Sequence, residues 1–362
     1  MDANLKRIKK WKNIVFNRHR TPPYLVFFVT GKCNLKCRHC FNWKAAESYK
    51  DDIEIDEISR ASGELGKIYD LLLSGGEPFL RKDLAEIIKV FYINNKVEKI
   101  CLPTNGYLPE VIRETTEDIL KICKNTVLEV SLSIDGPCRV HNDTRGREDS
   151  FEKVVCTYDT LKELKKHYRN LVLNTSTTIT NKNISYLQEL DAFISDNMPQ
   201  INNIFYSFFR STGRDKEVFL PDMADLEKNL IWNNRKSDFV YFLVDAMSFY
   251  LKALTLEKHK QILRCAAGDL IGVLESNGDV KLCELLPSVG NIKKQSFSQI
   301  WHSPLAQEQR KNIRDRRCFC SHECFLAPSI LYKPKNYLKL ILSMVPALKT
   351  VIKAKRTILT NI

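Results

Sequence analysis

Short apolar runs alternate with amphipathic segments over the first 210 residues of this chain. Between the runs, apolar residues recur at helical spacing over 53–68, 83–94, 109–124, 150–168 and 183–196. Alternating strands and helices predict a parallel sheet with right-handed crossovers. In barrels built from such units, the active-site residues lie at the carboxyl ends of the strands. The runs that predict strands cover 24–30, 70–74, 99–103, 128–134, 173–179 and 204–209.

The pattern changes after residue 263. Two alternating runs flank Asn277-Gly278, which is the strongest short signal for a β-hairpin, and a helix through Trp301 follows. The hairpin would carry Cys283 back towards Cys265. The sequence therefore predicts a second, small unit of a hairpin and a helix, reached through a helical linker over 216–262.

The positive charge of the chain belongs to its two ends. The formal net charge is +13, of which residues 1–20 carry +6 and residues 333–362 carry +7. The nearly neutral middle offers no basic module for nucleic acid. The charged N-terminus lacks the apolar run of a signal peptide, and no stretch approaches the ~20 apolar residues of a membrane span. These features predict a cytoplasmic protein whose clustered cysteines are metal ligands rather than disulfides.

Both ends also carry amphipathic patterns, which predict a basic helix within residues 1–22 and another within residues 331–362. An apolar face beside a cationic one suits a helix that lies in a membrane interface, here at the inner face of the membrane. The alternative is that these helices pack their apolar faces on the rest of the protein. In the C-terminal segment the apolar face comprises Tyr337, Ile341, Met344, Val345, Leu348 and Ile352, and the cationic face comprises Lys349, Lys353 and Arg356.

Three cysteines directly after the first predicted strand form the most specific motif, with Cys33, Cys37 and Cys40 in the spacing C-x3-C-x2-C. Iron–sulfur clusters are normally held by four thiolates. Three thiolates on one loop can bind three irons of a [4Fe–4S] cluster and leave the fourth open to an exogenous ligand. A structural zinc site is the alternative, but it requires four protein ligands, and no fourth candidate lies close in the sequence.

This spacing, with His39 directly before the last cysteine, resembles the signature of the radical S-adenosylmethionine (SAM) enzymes. The resemblance implies a partial (β/α)6 TIM-like barrel over residues 23–215. It also implies that Cys33, Cys37 and Cys40 are the catalytic residues, which bind a [4Fe–4S] cluster whose open iron chelates SAM. Electrons from a reductant such as flavodoxin or ferredoxin would then cleave SAM to a 5′-deoxyadenosyl radical, which abstracts a hydrogen atom from the substrate.

Further motifs at the ends of the predicted strands agree with this resemblance. The run Ser74-Gly-Gly-Glu-Pro78 is similar to the family's GGEP motif, whose glycines let backbone carbonyls approach the SAM amino group. The end of strand six, Phe209-Arg210-Ser-Thr-Gly213, stands where the family often lines the adenosine site. The cofactor-binding residues implied by the resemblance are His39, Gly75, Gly76, Glu77, Ser133 and Arg145.

Strand four leads into Ser133-Ile-Asp135-Gly136, followed by His141-Asn142 and Arg145. In the pattern that this segment resembles, the serine and the arginine hold the SAM carboxylate. Arginine suits that role because its planar fork binds carboxylates and stays charged. The family usually has His-Asp where this chain has His-Asn, which leaves the role of the histidine open. Asp135 is interpreted either as a hydrogen-bond anchor or as an acid–base group.

The second unit carries five cysteines. Their order resembles the SPASM extension of radical SAM enzymes, or its shortened twitch form, over residues 263–330. Five thiols suffice for one auxiliary [4Fe–4S] cluster and leave one spare, which favours the twitch form. Cys324 is favoured as a ligand together with the first two cysteines, and the fourth ligand is Cys318 or Cys320. The five cysteines are Cys265, Cys283, Cys318, Cys320 and Cys324.

Zinc is the alternative occupant of this second site, and His322 could then join the ligands. The remaining cysteines lack ligand spacing and are expected to be ordinary packing residues, although Cys138 follows strand four near the expected active site. These four are Cys101, Cys123, Cys138 and Cys156.

The sequence does not identify the substrate. The amphipathic ends favour a membrane- or envelope-associated substrate, either lipid-linked or a sugar. The alternatives are a ribosomal peptide, which the chain would mature, and a non-catalytic iron–sulfur or zinc protein that has kept the fold. Peptide-modifying relatives often carry a leader-binding domain, and the 22 residues before the first strand are too few to form one.

Overall fold

Nine strands form one mixed sheet in a computed structural model that describes residues 3–16, 20–48, 51–210, 213–229, 239–346 and 349. All six strands predicted in the first 210 residues are present, with ends that shift by up to two residues. The strands are β1 (Tyr24–Thr30), β2 (Asp70–Gly75), β3 (Lys99–Thr104), β4 (Val127–Ser133), β5 (Leu171–Ile179), β6 (Asn203–Phe208), β7 (Ile271–Leu274), β8 (Asp279–Lys281) and β9 (Gly290–Asn291).

Helices follow each of the first five strands and continue through the C-terminal third. The predicted helices are all present. Four helices were not predicted, namely α2, α6, α12 and α13, and α6 carries the His141 to Arg145 motif. The helices are α1 (Ala3–Phe16), α2 (Trp43–Ser48), α3 (Ile55–Gly63), α4 (Leu84–Asn95), α5 (Pro109–Ile122), α6 (Cys138–Arg145), α7 (Ser150–His167), α8 (Leu187–Asn197), α9 (Met223–Asn229), α10 (Phe239–Glu257), α11 (Phe297–Trp301), α12 (Pro304–Arg314), α13 (Glu323–Tyr332) and α14 (337–346).

The parallel strands β1 to β6 form the partial barrel that the resemblance implied. On β4, Leu128, Val130 and Leu132 are fully buried because they face the surrounding helices, whereas the alternate residues Ser131 and Ser133 are only half-buried. Successive side chains of a strand point to opposite faces, so the half-buried set lines the inside of the barrel. The interior is therefore accessible to solvent and can admit a ligand.

The hairpin of the second unit is not separate from the barrel. Strand β7 pairs in parallel with β1, from Tyr24 opposite Ile271 to Phe27 opposite Leu274, and β8 returns antiparallel to β7. Gly278 makes the turn with φ of +91°, a conformation that favours glycine. The predicted hairpin is thus confirmed, and it extends the barrel sheet beyond β1 within one continuous apolar core.

The two ends of the chain meet at the amino-terminal ends of the strands. The Lys10 ammonium lies 2.8 Å from the carboxylate of Asp70, the first residue of β2. The Trp11 indole donates to the Leu331 carbonyl at 3.0 Å and to the Tyr337 hydroxyl at 2.8 Å. These contacts fix α1 beside α14. Four residues assigned to the amphipathic C-terminal segment, Leu348, Ile352, Lys353 and Arg356, lie outside the described residues.

Among the helices in the described part of the chain, none is both long and apolar enough to cross a bilayer.

The junction between β1 and β7 can be tested at Gly272. A Cβ added there would lie 2.8 Å from Pro22 and 3.0 Å from Trp301. We expect Gly272→Val to lower the free energy of unfolding by about 1–3 kcal/mol, because the added methyls overpack this seam. Urea denaturation followed by circular dichroism measures the change. The matched control is Gly63→Val, where an added Cβ meets no atom within 4 Å; equal stability of the two variants would contradict the packing.

Candidate active site and second cysteine cluster

The three cysteines of the first motif lie on the loop that leaves the carboxyl end of β1. The backbone N–H of Cys40 donates to the Cys37 carbonyl at 3.2 Å, and that of Leu35 donates to the Cys33 thiol at 3.5 Å. The Leu35 side chain is buried and anchors the loop. Cys37 is buried, Cys40 is half-buried and Cys33 is exposed, so the three cysteines of the loop differ in their exposure to solvent.

Arg38 clamps this loop between α6 and the segment after β6. Its backbone N–H donates to the Thr144 carbonyl at 2.9 Å, and its carbonyl accepts from the Asp215 N–H at 2.9 Å. Its guanidinium lies 2.6 Å from Asp143 and 2.7 Å from Asp215. Gly213 is needed here because a Cβ would lie 2.8 Å from the Arg38 carbonyl. The sequence analysis did not single out Arg38.

The double glycine after β2 packs directly on the cysteine loop. The N–H groups of Gly76 and Glu77 donate to the carbonyls of Thr30 and Lys32 at 2.9 and 2.8 Å. A Cβ at Gly76 would lie 2.0 Å from the Lys32 carbonyl oxygen, and one at Gly75 would lie 2.3 Å from that of Thr30. The structure thus requires both glycines for packing against the loop. Their predicted contact with the SAM amino group stays a prediction.

Glu77 is buried, and its carboxylate is engaged within the protein. It accepts from the Thr104 hydroxyl at 2.9 Å, the Asn105 N–H at 2.8 Å and the Phe79 N–H at 3.2 Å. Burial raises the pKa of Glu77 to about 7, while the donated hydrogen bonds act in the opposite direction. The Asn105 amide also donates to Asn34 of the cysteine loop at 2.8 Å. Glu77 therefore ties the ends of β2 and β3 together and supports the loop from below.

Asp135 and Arg145 form a buried ion pair beside the cysteine loop. The Arg145 Nε lies 2.7 Å from the Asp135 carboxylate, and its Nη1 donates to the Cys37 thiol at 3.6 Å. The other Asp135 oxygen accepts from the Thr178 N–H at 3.1 Å. Burial acts to raise the pKa of Asp135, but the Arg145 charge, together with smaller contributions from His39, His141 and the Thr178 N–H, holds that pKa below its usual range. This geometry supports the anchor interpretation of Asp135, because the carboxylate orients the guanidinium.

Two histidines flank this ion pair and are neutral at pH 7. Burial lowers the pKa of His39 to about 4 and that of His141 to about 3. The Asp135 N–H donates to the His141 Nδ1 at 3.2 Å, which places the His141 proton on Nε2. His141 therefore supports the turn after β4. Ser133 ends β4 opposite Ser176 of β5, on the inner face of the barrel.

In the second unit, four cysteines lie within electrostatic reach of one another. Burial, with smaller contributions from the Cys320 and Cys318 thiols, raises the pKa of Cys265 to about 12. Burial likewise raises the pKa of Cys283 well above its ordinary value, with additional contributions from Cys320 and Cys265. The hairpin therefore brings Cys283 towards Cys265 as predicted, and both meet the loop before α13.

Cys324, at the start of α13, lies in a different immediate setting. Its thiol, a carboxylate oxygen of Glu284 and a ring nitrogen of His322 all lie within 4.8 Å of one another. His322 Nε2 is 2.5 Å from Glu284, and the Arg210 guanidinium is 3.4 Å from the same carboxylate. Arg210 also stacks over the Phe41 ring of the cysteine loop at 4.4 Å. This network links the two cysteine sites, and the ligand role predicted for Cys324 stays a prediction.

The donor sets of both sites are rich in thiols. Three cysteines lie on the first loop and five in the second unit, and thiolates are the usual ligands of iron–sulfur clusters.

The remaining cysteines divide into two pairs. Cys123 is buried in the core, and the Cys101 thiol donates to Glu129 inside the barrel at 3.3 Å. Cys138 and Cys156 are exposed on α6 and α7. The expectation of an ordinary packing residue is therefore wrong for Cys156, which is exposed, and Cys138, which was set apart from that expectation, is exposed as well.

Comparison with known proteins identifies two domains. The model of the radical SAM superfamily matches residues 27–194, and that of the iron–sulfur cluster-binding SPASM domain matches residues 265–325. The matches contain Cys33, Cys37 and Cys40 in the first domain and all five cysteines of the second site in the second.

Several characterised relatives are similar over about four-fifths of the chain. The antilisterial bacteriocin subtilosin biosynthesis protein AlbA of Bacillus subtilis is 26% identical over 81% of this chain, and the match spans 62% of AlbA. The AdoMet-dependent heme synthase of Methanosarcina barkeri is 25% identical over 81% of this chain and 85% of its own. Mycofactocin maturase MftC of Mycolicibacterium smegmatis is 26% identical over 83% of this chain and 76% of its own.

Solved structures share the fold. Streptococcus suis SuiB, bound to its precursor peptide SuiA, superposes with a TM-score of 0.58 at 18% identity, covering 84% of this chain and 70% of SuiB. The enzyme anSMEcpe with bound AdoMet and a peptide gives a TM-score of 0.53 at 19% identity, covering 89% of this chain and 98% of its own. With both domain matches and the cysteine sites in place, this chain belongs to the radical SAM superfamily, an enzyme family whose barrel domain binds a [4Fe–4S] cluster and SAM, and it carries the iron–sulfur cluster-binding SPASM domain.

Proposed function

We propose that this enzyme modifies a peptide or protein substrate by abstracting a hydrogen atom from one of its residues. The observation that carries the proposal is the neutral, hydrogen-bonding lining of the barrel next to the cysteine loop. Relatives named for bacteriocin biosynthesis and for mycofactocin maturation support the same substrate class. Relatives named as heme synthases support the competing substrate class, which is a tetrapyrrole.

The lining follows from the register of the last three barrel strands. Ser133 lies opposite Ser176, which lies opposite Phe205, and the next layer repeats this pattern with amides and hydroxyls. The Asn203 amide donates to Asn174 at 3.0 Å across the sheet. The inward positions of β4, β5 and β6 nearest the cysteine loop are Ser131, Ser133, Asn174, Ser176, Thr178, Asn203, Phe205 and Ser207. Deeper in the barrel the inward residues of β4 and β5 are Glu129 and Val172, and the Glu129 carboxylate lies 3.6 Å from the Lys99 ammonium.

Cations near this lining are paired within the protein. Arg145 is held by Asp135, Arg210 lies 3.4 Å from Glu284, and Lys99 at the base of the barrel lies 3.6 Å from a carboxylate oxygen of Asp70. A tetrapyrrole carries several carboxylates, which need charged hydrogen-bonding partners. A peptide backbone needs neutral donors and acceptors, which serine and asparagine supply. The lining therefore suits a peptide better than a tetrapyrrole.

The residues around the cysteine loop have distinct roles in this proposal. Cys33, Cys37 and Cys40 hold the catalytic cluster. Gly75, Gly76, Ser133 and Arg145 would position SAM, with Asp135 orienting the guanidinium and Glu77 fixing the strand ends beneath the loop. When reduced by flavodoxin or ferredoxin, the bound cluster supplies the electron that cleaves SAM.

The auxiliary site would lie next to the substrate. Arg210, which stacks on Phe41 of the cysteine loop, reaches Glu284 directly after Cys283. An auxiliary [4Fe–4S] cluster held by Cys283 and three of the other four cysteines could bind the substrate or accept an electron from it. Such an acceptor suits an oxidation or a cross-link, since hydrogen-atom abstraction leaves a substrate radical that must give up one electron to become a closed-shell product.

The hypothesis of a lipid-linked or sugar substrate rested on the amphipathic ends of the chain. The helices at those ends contact the amino-terminal ends of the strands, whereas the cysteine loop leaves the carboxyl end of β1. The terminal helices therefore lie far from the barrel opening and supply no argument for a substrate held in the membrane. That hypothesis stays untested.

The substrate class can be tested by comparing size fractions of a lysate from the source cells. Reconstituted enzyme, SAM and dithionite are incubated with either a peptide fraction or a small-molecule fraction, and 5′-deoxyadenosine is quantified above the background without substrate. We expect stimulation by the peptide fraction, with a mass change on one peptide. Stimulation confined to porphyrin-containing or lipid fractions would refute the proposal.

A charge placed in the lining should separate substrate binding from SAM cleavage. We expect Ser176→Asp to lower peptide turnover about tenfold or more, because a carboxylate would be desolvated against the peptide. Uncoupled SAM cleavage measured without substrate should change little. The control is Ser176→Thr, which keeps the hydroxyl. Loss of uncoupled cleavage in the aspartate variant would show instead that the cofactor site was disturbed.

Single-cysteine variants should each remove one cluster. After anaerobic reconstitution we expect about eight irons per chain, falling to about four in either Cys37→Ala or Cys283→Ala, since each cluster has four irons held by thiolates. Only Cys37→Ala should abolish SAM cleavage. Cys156→Ala, on the exposed face of α7, serves as the control. Zinc in place of half the iron would contradict the auxiliary cluster.

The role of Arg145 can be tested by binding. We expect Arg145→Lys to weaken SAM binding about tenfold, because an ammonium cannot engage Asp135 and a carboxylate with one planar fork. Equilibrium dialysis with the reconstituted enzyme measures the affinity. Arg139→Lys, an exposed position on the same helix, should leave it unchanged. Equal affinities of the two variants would remove Arg145 from the SAM site.

A further inference from the structure

We propose that α1 and α14 together form one docking surface for an anionic membrane, and that a docked molecule turns its barrel opening away from the bilayer. This terminal surface is distinct from the active site, and the inference does not depend on the substrate class proposed above. It comprises Leu5, Ile8, Lys9, Lys12 and Phe16 of α1 with Lys335, Leu338, Ile341, Leu342, Val345 and Lys349 of the α14 region.

Helix α14 carries apolar side chains on two faces. Its inner face packs as in an ordinary surface helix, with Leu340 against an apolar cluster of the core and Ser343 buried. A second apolar stripe faces outward, which indicates that it is covered by something outside the folded chain. This stripe comprises Leu338, Ile341, Leu342 and Val345, and each of them is between 61% and 72% exposed.

The exposed face of α1 has the same character. Leu5, Ile8 and Phe16 are 54%, 52% and 72% exposed, and Lys9 and Lys12 share their face at helical spacing. The inner face of α1 is occupied differently, because Ile14 is buried in the core. The contacts of α1 with the protein therefore leave a separate apolar and cationic face available.

Trp11 joins the two helices. Its ring stacks on the Tyr337 ring with the centroids 6.4 Å apart, and its indole donates to the Tyr337 hydroxyl at 2.8 Å. Two short amphipathic helices would each bind a bilayer weakly. Fixed side by side, they insert together, and the second binding event becomes intramolecular.

Charge identifies an anionic bilayer as the occupant. Lys335 and Lys349 continue the apolar stripe of α14 at either end and are exposed. Residues 333–362 contain seven cations and no acidic residue. Apolar side chains that insert between acyl chains, flanked by lysines that reach anionic headgroups, are the combination required for a helix lying in the interface. A water-exposed apolar patch of this extent marks an interaction surface.

The position of the helices sets the orientation. Lys10 of α1 contacts Asp70 at the amino-terminal end of β2, and its ammonium lies 5.7 Å from the ring centre of Tyr24 at the start of β1. The cysteine loop begins after Thr30, at the other end of β1. Six residue steps of ~3.3 Å place the two about 20 Å apart. A molecule docked by its terminal surface therefore receives SAM and substrate from the aqueous side.

Vesicle flotation tests the surface with the full-length chain. Vesicles of phosphatidylcholine with phosphatidylglycerol are compared with vesicles of phosphatidylcholine alone. We expect flotation with the anionic vesicles and partial release by 0.5 M salt, because salt screens the lysines at about this concentration. Leu342→Glu should lower the partition coefficient about tenfold or more, since one inserted leucine is lost. Ile93→Glu is the matched control, because Ile93 lies on α4 and is 61% exposed, close to the 70% of Leu342.

Iron content and the unfolding midpoint establish that each variant is folded. Failure of the wild-type chain to float, or equal flotation of Leu342→Glu, would overturn the proposal. A dimer that Leu342→Glu dissociates, without any flotation, would assign the surface to a second copy of the chain and would also overturn it. Saturating vesicles should leave the rate of SAM cleavage within about twofold if the opening faces water. A strong inhibition by vesicles alone would contradict the orientation.

Discussion

The active site depends on the backbone contact between the cysteine loop and the end of β2. Two N–H groups, from Gly76 and Glu77, continue the sheet pairing onto the carbonyls of Thr30 and Lys32. The loop that would carry a metal cluster is in this way an extension of the sheet. Because the two backbones approach so closely, no side chain larger than hydrogen fits at Gly75 or Gly76 without moving one of them. The buried Glu77 carboxylate then locks the next strand to the same point.

Around this contact, charged groups are satisfied in pairs. Arg145 is oriented by Asp135, Arg38 by Asp143 and Asp215, and Arg210 by Glu284. Each guanidinium is thereby held at a fixed position next to the loop. Because its charge is already paired with a carboxylate, it is less available to bind other anions. The hydrogen-bonding surface left for a substrate is consequently neutral. This pairing connects the rigidity of the site to the proposed substrate class.

The local sequence patterns predicted most of the helices and strands, but they could not predict which distant segments pair with each other. The apolar runs located β1 to β6 within about two residues, since period-2 burial is a property of a few adjacent side chains. Helix α6 was missed because it is short and polar, so it carries no apolar periodicity that a sequence pattern could reveal. The parallel pairing of β7 with β1 joins residues about 250 apart, and nothing in either run specifies the partner. The motifs located the cysteines, but not the pairing of Asp135 with Arg145 or of Glu284 with His322.

The junction of β7 with β1 also bears on the solubility of the barrel. Strand β1 reads Tyr-Leu-Val-Phe-Phe-Val-Thr, it is buried along its whole length, and it contains no charged residue or proline. Such a segment has the composition of strands that aggregate when their edges are exposed. With β7 in place, both edges of β1 are hydrogen-bonded. The auxiliary domain thus acts as a cover for the most aggregation-prone strand of the molecule, and a barrel separated from it would present that strand as an open edge.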